Sequence, residues 1–134
     1  MPRVELFLVE KHPLEPPGGI TVEAQMSDYC IAQVERMLKQ QTHVRDTAAI
    51  LIEPILGEGG YVSPPSDFLP RLKMLCEKHG ILLIADEVQS GFGRTGKMFA
   101  VEHTGVTPDI IIMAKGIASG FPLSAIAVRD GLVT

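Results

Sequence analysis

The sequence predicts an α/β fold, specifically part of a mostly parallel sheet, on two observations. Short apolar runs at residues 48–52, 81–84 and 110–113 are each bounded by turn residues or charges, a pattern typical of strands buried on both faces. Between the first two runs lies a segment with helical periodicity, and a shorter helical turn precedes the third. Alternating strands and helices predict right-handed βαβ crossovers, which make neighbouring strands parallel.

The remaining elements follow from local signals along the chain. Residues 1–26 are weakly patterned, with a Pro- and Gly-rich loop near 13–19. Apolar residues at helical spacing predict a helix over 27–40, with Ser27 or Asp28 as its N-cap. A second helix is predicted from the Ser-Pro-Pro-Ser segment at 63–66 to a C-cap at Gly80. A helical turn is expected at 99–103, and residues 124–128 are a candidate fourth strand.

Length and composition limit the function classes. The 134 residues make at most one domain, and a net charge of −4 without a basic cluster argues against a nucleic-acid partner. No apolar run approaches the roughly 20 residues that span a bilayer. Cys30 and Cys76 fall in helical segments and are expected to stay reduced. An intracellular location is therefore expected, and the residues do not distinguish cytoplasm from mitochondrion.

An acid and an amine follow two neighbouring predicted strands. Asp86 ends the 81–84 run and Lys115 follows the 110–113 run, so both are expected at the sheet edge where α/β proteins bind ligands. A lysine can react with a carbonyl cofactor such as pyridoxal phosphate, whose protonated ring nitrogen a carboxylate would stabilise. From the pattern alone, a solvated lysine and a helix-capping acid remain open alternatives.

Two glycine patterns and one pair of possible ligands point to other sites but lack the required context. Residues 91–96 match G-x-G-x-x-G, and residues 91–97 match most of a P-loop. Met98 stands where a P-loop needs Ser or Thr, and five residues separate the preceding strand from the first glycine. Cys76 and His79 lie one helical turn apart, but two ligands do not make a structural metal site. Neither a nucleotide nor a metal is predicted.

Three segments carry a family resemblance: AAILIEPILGEGG, ILLIADEVQSGFGRTG and PDIIIMAKGIASGFPLS. In this order, with Asp86 and Lys115 29 residues apart, they resemble the large-domain core of the class III pyridoxal-phosphate-dependent aminotransferases. Within that family they resemble the 4-aminobutyrate aminotransferases in particular, and the resemblance covers residues 48–128. The resemblance implies the large-domain fold of the fold-type I pyridoxal enzymes.

The resemblance also implies roles for particular residues. Lys115 would form the Schiff base with the cofactor and carry the proton between substrate and cofactor carbons. Asp86 would pair with the pyridinium nitrogen, and Val88 would pack on one face of the ring. Gln89 would hydrogen-bond the phenolic oxygen of the cofactor. The simpler interpretations of Val88 and Gln89 are a core valine and a polar turn residue.

Two further acids match the family pattern. Glu58 resembles a gate acid, which pairs with an arginine for one substrate and releases it for the other; an exposed loop glutamate is the alternative. Glu53 would lie behind Gln89, although a strand-end cap is an equally simple interpretation. Glu87 is interpreted as structural, and Arg94 is expected to shape its turn rather than touch a ligand.

Enzymes of this family have several hundred residues and act as homodimers. The chain is therefore expected to be a fragment of the large domain, with a lead-in and helix at 1–47, the catalytic core segment at 48–134, and the small C-terminal domain absent. The parent enzyme would transfer an amino group from a 4-aminobutyrate-like ω-amino acid to 2-oxoglutarate. Ornithine, acetylornithine and alanine–glyoxylate aminotransferases remain alternatives, as does a non-catalytic remnant. Two helices cannot cover both faces of the sheet, so apolar strand surface is expected to face water. The isolated chain is therefore expected to be inactive.

Overall fold

The computed structural model describes residues 23–133, so the predicted loop near 13–19 lies outside the described residues. Two helices and four strands form the framework, joined by turns and three short 3-10 helices. The helices are α1 (Glu23–Gln40) and α2 (Phe68–His79), and the strands are β1 (Ala49–Ile52), β2 (Leu82–Asp86), β3 (Ile110–Met113) and β4 (Ala125–Val128). The 3-10 helices are Val44–Asp46, Ala100–His103 and Lys115–Ala118.

The four strands form one sheet in the order β1-β2-β3-β4. The first three strands are parallel, with Ala49 opposite Leu82 and Ala85 opposite Ile111. β4 runs antiparallel to β3. The predicted α/β class, its mostly parallel sheet and the candidate fourth strand are therefore confirmed.

The apolar core lies between the two helices and one face of β1 and β2. α2 forms the crossover from β1 to β2, and α1 packs on α2. The buried core residues are Val34 and Leu38 of α1, Ile50 of β1, Phe68, Leu69, Leu72, Leu75 and Cys76 of α2, and Ile81 and Leu83 at β2. Because side chains alternate along a strand, Leu82 and Ile84 point to the opposite face, where they are only half-buried. The prediction that these strands are buried on both faces is wrong for this chain.

The β3–β4 side of the sheet remains open to solvent. All four residues of β3 are half-buried, Ile126 of β4 is 65% exposed, and Phe121 in the preceding turn is 80% exposed. Both helices of the described part of the chain pack on the β1–β2 side, so neither covers this apolar surface. The expectation of exposed strand surface is confirmed.

The predicted N-cap of the first helix is wrong. α1 begins at Glu23, and Ser27 is buried inside it, where its hydroxyl donates a hydrogen bond to Asp67. Asp28 pairs with Arg71. Both polar residues therefore join α1 to the start of α2 instead of capping the N-terminus of α1.

The second helix begins later than predicted and ends where predicted. Its first residue is Phe68, beyond the prolines of 63–66. Gly80 adopts a left-handed conformation with φ 67°, and its N–H donates to the Cys76 carbonyl, as a glycine C-cap does. Cys30 and Cys76 are both free, and burial raises the pKa of the Cys76 thiol to about 12. Neither described helix has the length and apolar character needed to cross a membrane.

A buried carboxylate, Asp109, ties the start of β3 to its neighbours. Its side chain is 4% exposed and accepts hydrogen bonds from Leu83 N (2.9 Å), Lys73 Nζ (2.8 Å) and Arg129 Nε (2.8 Å). Burial is the largest influence on the Asp109 pKa and raises it. The bonds from Leu83, Lys73 and Arg129 outweigh burial, so the pKa lies below its usual value of 3.8. Asp109 thus links α2, β2, β3 and the end of β4.

We expect Asp109→Asn to lower the free energy of unfolding at pH 7 by about 3 kcal/mol, because Lys73 loses a buried partner. Since the folded pKa is depressed, the carboxylate stabilises the fold above its unfolded pKa of 3.8. That stabilisation is lost as the pH falls through the folded pKa. Urea unfolding of both proteins at several pH values measures the difference. Asp46→Asn, at an exposed position, is the control. If the difference in unfolding free energy between wild type and Asp109→Asn stayed constant from pH 7 to pH 2, the stabilising role of the Asp109 carboxylate would be contradicted.

Candidate active site

The carboxyl ends of β2 and β3 bring Asp86 and Lys115 to the same edge of the sheet. Asp86 pairs with Ile112 in the parallel register, and Lys115 follows three residues later. Asp86 is half-buried, and its Oδ1 accepts a hydrogen bond from Val88 N at 3.0 Å. Its Oδ2 has no hydrogen-bond partner among the described residues. The carboxylate is therefore oriented through one oxygen while the other is available to a ligand.

Lys115 has a constrained backbone. Its φ of 48° is in the left-handed region, which costs a non-glycine residue roughly 1–3 kcal/mol and is concentrated at functional sites. A Cβ on Gly116 would lie 2.9 Å from Phe92 Cβ, so the backbone after the lysine passes close to the Phe92 side chain. The Lys115 side chain is 56% exposed, and its Nζ donates a hydrogen bond to Gln89 Oε1. Lys115 and Gln89, two residues to which the family resemblance gives separate roles, are thus in contact.

Glu58 lies near the lysine at the tip of a closed loop. Reciprocal backbone hydrogen bonds between Leu56 and Val62 close the GEGG segment. Glu58 Oε1 is 4.0 Å from Lys115 Nζ, and both side chains are exposed. An exposed ion pair at this distance contributes at most about 1 kcal/mol, so this contact leaves Glu58 available to another cation.

Glu53 caps the loop after β1 and also borders Gln89. Its Oε2 accepts a hydrogen bond from Gly57 N at 2.8 Å. A Cβ on Gly57 would lie 2.7 Å from Gln89 Cγ and 3.2 Å from Glu53 Oε2. Glu53 therefore holds the loop as a strand-end cap would, and Gly57 provides the space that Gln89 occupies. Sequence reasoning missed Gly57, whose only signal was its position in a glycine-rich loop.

Lys115, Gln89 and Gly57 line a cavity of about 470 Å³, within the range typical of small-molecule sites. Its lining residues are Ile55, Gly57, Tyr61, Val88, Gln89, Ser90, Gly91, Arg94, Thr95, Lys115 and Gly116. Arg94, expected only to shape its turn, is on the cavity wall. Asp86, Glu53 and Glu58 are not among the lining residues. Asp86 and Glu53 accept hydrogen bonds from the lining residues Val88 and Gly57, and Glu58 lies 4.0 Å from Lys115 Nζ.

The donor set fits pyridoxal phosphate. Lys115 offers an amine that can hold a carbonyl group, and Asp86 offers a carboxylate oxygen for a ring N–H. Gln89 supplies an amide, and Val88 supplies an apolar side chain on the same wall. The glycine pattern at 91–96 is not followed by a regular α-helix among the described residues, and the next helical element is the four-residue 3-10 helix Ala100–His103. It therefore lacks the helix that a dinucleotide-binding turn requires.

The sequence model described as aminotransferase class-III matches residues 6–134. The chain belongs to the class III aminotransferase family. Enzymes of this family depend on pyridoxal phosphate, in agreement with the donor set above. The match begins at residue 6, so the similarity to the family includes α1. It therefore extends further toward the N-terminus than the resemblance of residues 48–128.

Similar proteins include ω-amino acid aminotransferases. The chain is 54% identical over 117 residues to the 5-aminovalerate aminotransferase DavT of Pseudomonas putida. This alignment covers 82% of this chain and 28% of DavT. It is 52% identical over 102 residues to the 4-aminobutyrate aminotransferase GabT of Escherichia coli, or 76% of this chain and 24% of GabT. An acetylornithine aminotransferase of Agrobacterium fabrum is 62% identical over 80 residues, or 60% of this chain and 20% of that protein.

A solved structure shows the same fold with its cofactor. An amine transaminase from an uncultivated Pseudomonas species, described as pyridoxal-phosphate-bound, superposes with a TM-score of 0.77 at 43% identity. The superposition covers 81% of this chain and 24% of that chain. The chain thus spans about a quarter of the length of the relatives it matches.

We expect Gly57→Ala to displace the Gln89 side chain from Lys115, because the new methyl group would overlap Gln89 Cγ. Pyridoxal phosphate should still bind, while its visible absorbance and circular dichroism change. Gly59→Ala is the matched control in the same loop, since its methyl group would meet Leu56 instead. Identical spectra for wild type and Gly57→Ala would contradict the proposed contact.

Proposed function

We propose that this chain is the cofactor-binding core of an aminotransferase that moves an amino group from a 4-aminobutyrate-like ω-amino acid to 2-oxoglutarate. The observation that supports it most directly is the contact of Lys115 with Gln89 at the cavity, on the same sheet edge as Asp86. Pyridoxal phosphate, when bound, supplies the electron sink that makes the carbon bearing the amino group acidic.

Asp86 would hold the proton on the ring nitrogen of the cofactor. Its Oδ1 is engaged by Val88 N, so the carboxylate cannot rotate freely and Oδ2 stays directed for a ligand. A carboxylate next to that nitrogen favours its protonated form by direct Coulomb attraction. Val88, whose N–H fixes Asp86, would pack on one face of the ring.

Lys115 would bind the cofactor and move the substrate proton. Its Nζ would accept the proton from the carbon that bears the amino group and deliver it to the cofactor carbon during the same half-reaction. The Gln89 Oε1 that accepts a hydrogen bond from Nζ orients the amine toward the cavity. When Lys115 is engaged with the cofactor, the Gln89 amide would be free to bond the phenolic oxygen.

The donor is inferred from the similar proteins. The compounds named for DavT and GabT, 5-aminovalerate and 4-aminobutyrate, both carry the amino group far from the carboxylate. A gate acid is useful for such a donor because the second substrate, 2-oxoglutarate, has a carboxylate where the donor has none. Glu58 would pair with an arginine for the donor and release it for the acceptor, which its exposed loop permits.

A second candidate is an acetylornithine or ornithine aminotransferase, favoured by the 62% identity to the A. fabrum protein over a shorter stretch. No feature of the described residues favours an alanine–glyoxylate aminotransferase or a non-catalytic remnant over these two. For the active form we propose a homodimer, with residues 1–47 as lead-in and 48–134 as the core segment of its large domain. The exposed Ile126 of β4 and the half-buried apolar residues of β3 support packing against further polypeptide.

We expect the protein that carries this chain to form glutamate from 4-aminobutyrate and 2-oxoglutarate, and Lys115→Ala to abolish this activity. Borohydride should fix pyridoxal phosphate to the Lys115 peptide in wild type and leave that peptide unlabelled in the variant. Lys97→Ala, at an exposed lysine near the site, should retain both properties. Labelling of another lysine in the wild-type protein would overturn the assignment.

We expect Asp86→Asn to keep pyridoxal phosphate bound while kcat falls by about 10²–10³-fold, as when other electrostatic site groups are removed. An amide cannot stabilise the pyridinium charge. Cofactor occupancy is measured by absorbance and turnover by glutamate formation, with Asp130→Asn as an exposed control. A variant that retains a third of the wild-type kcat would rule out this role.

We expect Glu58→Ala to change substrate preference rather than proton transfer. The ratio of kcat/KM for 4-aminobutyrate to kcat/KM for 2-oxoglutarate should shift by about tenfold, the effect of one charge-assisted hydrogen bond. Half-reactions followed by cofactor absorbance measure each substrate separately, and Glu77→Ala is an exposed control. Equal losses for donor and acceptor would count against a gate.

A further inference from the structure

Glu87, interpreted from the sequence as structural, is a fully buried acid beside the site. It directly follows Asp86, and its exposed fraction is 0%. Among residues 23–133, no lysine, arginine or histidine forms an ion pair with it. A carboxyl group buried without a cation opposes folding unless hydrogen bonds satisfy its oxygens. Its bonding partners therefore indicate what it does.

The carboxyl group of Glu87 bridges the two ends of a long turn. Ser90 Oγ donates a hydrogen bond to Glu87 Oε2, and Val101 N donates one to Oε1 at 2.9 Å. Ser90 and Val101 are themselves buried. One side chain thus fixes the beginning and the end of the glycine-rich segment 90–101.

The backbone of Glu87 is fixed as well. Its N–H donates to the Ile112 carbonyl at 3.0 Å, which continues the β2–β3 pairing past Asp86. Its carbonyl accepts from Gly91 N at 2.9 Å. A Cβ on Gly91 would lie 2.8 Å from that carbonyl oxygen, so this position of the turn has no room for a side chain.

Only Val88 and Gln89 lie between Glu87 and Ser90. Both are on the cavity wall, and Gln89 Oε1 accepts the hydrogen bond of Lys115 Nζ. Glu87 itself does not line the cavity and has no hydrogen bond to Lys115. We propose that Glu87 is a positioning residue, whose bonds to Ser90 and Val101 hold the turn so that Gln89 meets Lys115 and the bound cofactor. The proposal rests on the proposed function.

The hydrogen bonds, rather than the charge, would perform this role, and two substitutions separate them. Glu87→Gln can keep both bonds, because its amide oxygen can accept from Val101 N and its NH₂ can donate to Ser90 Oγ. Glu87→Leu has a similar volume and can form neither bond. The comparison therefore tests bonding geometry at nearly constant packing.

In the cofactor-loaded protein, we expect Glu87→Gln to retain kcat within about threefold and Glu87→Leu to lower it by about 10–100-fold, the usual effect of displacing a site group by an ångström. The KM for 4-aminobutyrate should change little. The visible circular dichroism of bound pyridoxal phosphate, independent of turnover, should change in Glu87→Leu as it does in Gln89→Ala. Glu77→Leu, at an exposed position, is the control.

A double variant tests whether Glu87 acts through Gln89. Glu87→Leu combined with Gln89→Ala should be no slower than Gln89→Ala within about threefold, because residues that act as a unit are not additive. Multiplied losses would overturn the proposal. If Glu87→Leu does not fold, Ser90→Ala decides, since it removes one bond to the carboxyl group. A dichroism spectrum like that of Gln89→Ala supports the proposal, and a wild-type spectrum overturns it.

Cofactor uptake by the wild-type protein separates the proposed function from the positioning role of Glu87. A wild-type protein that takes up no pyridoxal phosphate on Lys115 overturns the function and the positioning role together. A wild-type protein that binds cofactor and transaminates, whose Glu87→Leu variant keeps the wild-type dichroism and kcat, overturns the positioning role alone.

Discussion

The parallel pairing of β2 with β3 is the constraint on which the site depends. Parallel strands end at the same edge, so this pairing determines that Asp86 and Lys115 approach each other. Hydrogen bonds fix it at both ends. Asp109 exchanges bonds with Leu83 where β3 begins, and Glu87 N bonds the Ile112 carbonyl beyond the last strand residue. A one-residue slip would turn every side chain of β3 to the opposite face and would move Lys115 relative to Asp86.

Close backbone packing completes the site around the lysine. Gly57 and Gly116 each provide space in which a side chain would overlap Gln89 or Phe92. Lys115 holds a left-handed backbone conformation, and Glu87 buries a carboxyl group without a cation among the described residues. Each of these features costs stability, and the apolar core between α1, α2 and β1–β2 offsets that cost. The strained Lys115 backbone and the buried Glu87 carboxyl group both lie on the edge that would bind the cofactor.

Much of the fold was predictable because its signals are local. The apolar runs marked β1, β2 and β3, and Gly80 marked the end of α2. Ser27 and Asp28 were misassigned as caps because an N-cap and a polar contact between helices use the same residue types, and only the position of Asp67 and Arg71 separates them.

The site was predictable to a smaller extent. The periodicity placed Asp86 and Lys115 at one edge, but a solvated lysine remained possible until the family resemblance supplied the chemistry. Gly57 was not anticipated, because its importance lies in a 2.7 Å approach to a residue 32 positions away. Glu87 was treated as structural because burial of a single acid cannot be read from its neighbours in sequence.

The most direct test of this account is a crystal structure of the protein with pyridoxal phosphate bound. The account predicts continuous electron density from Lys115 Nζ to the cofactor. The pyridine nitrogen should lie about 2.7 Å from Asp86 Oδ2, the separation of a charge-assisted hydrogen bond. A cofactor attached to a different lysine, or a pyridine nitrogen that faces solvent with Asp86 turned away, would contradict the central claim.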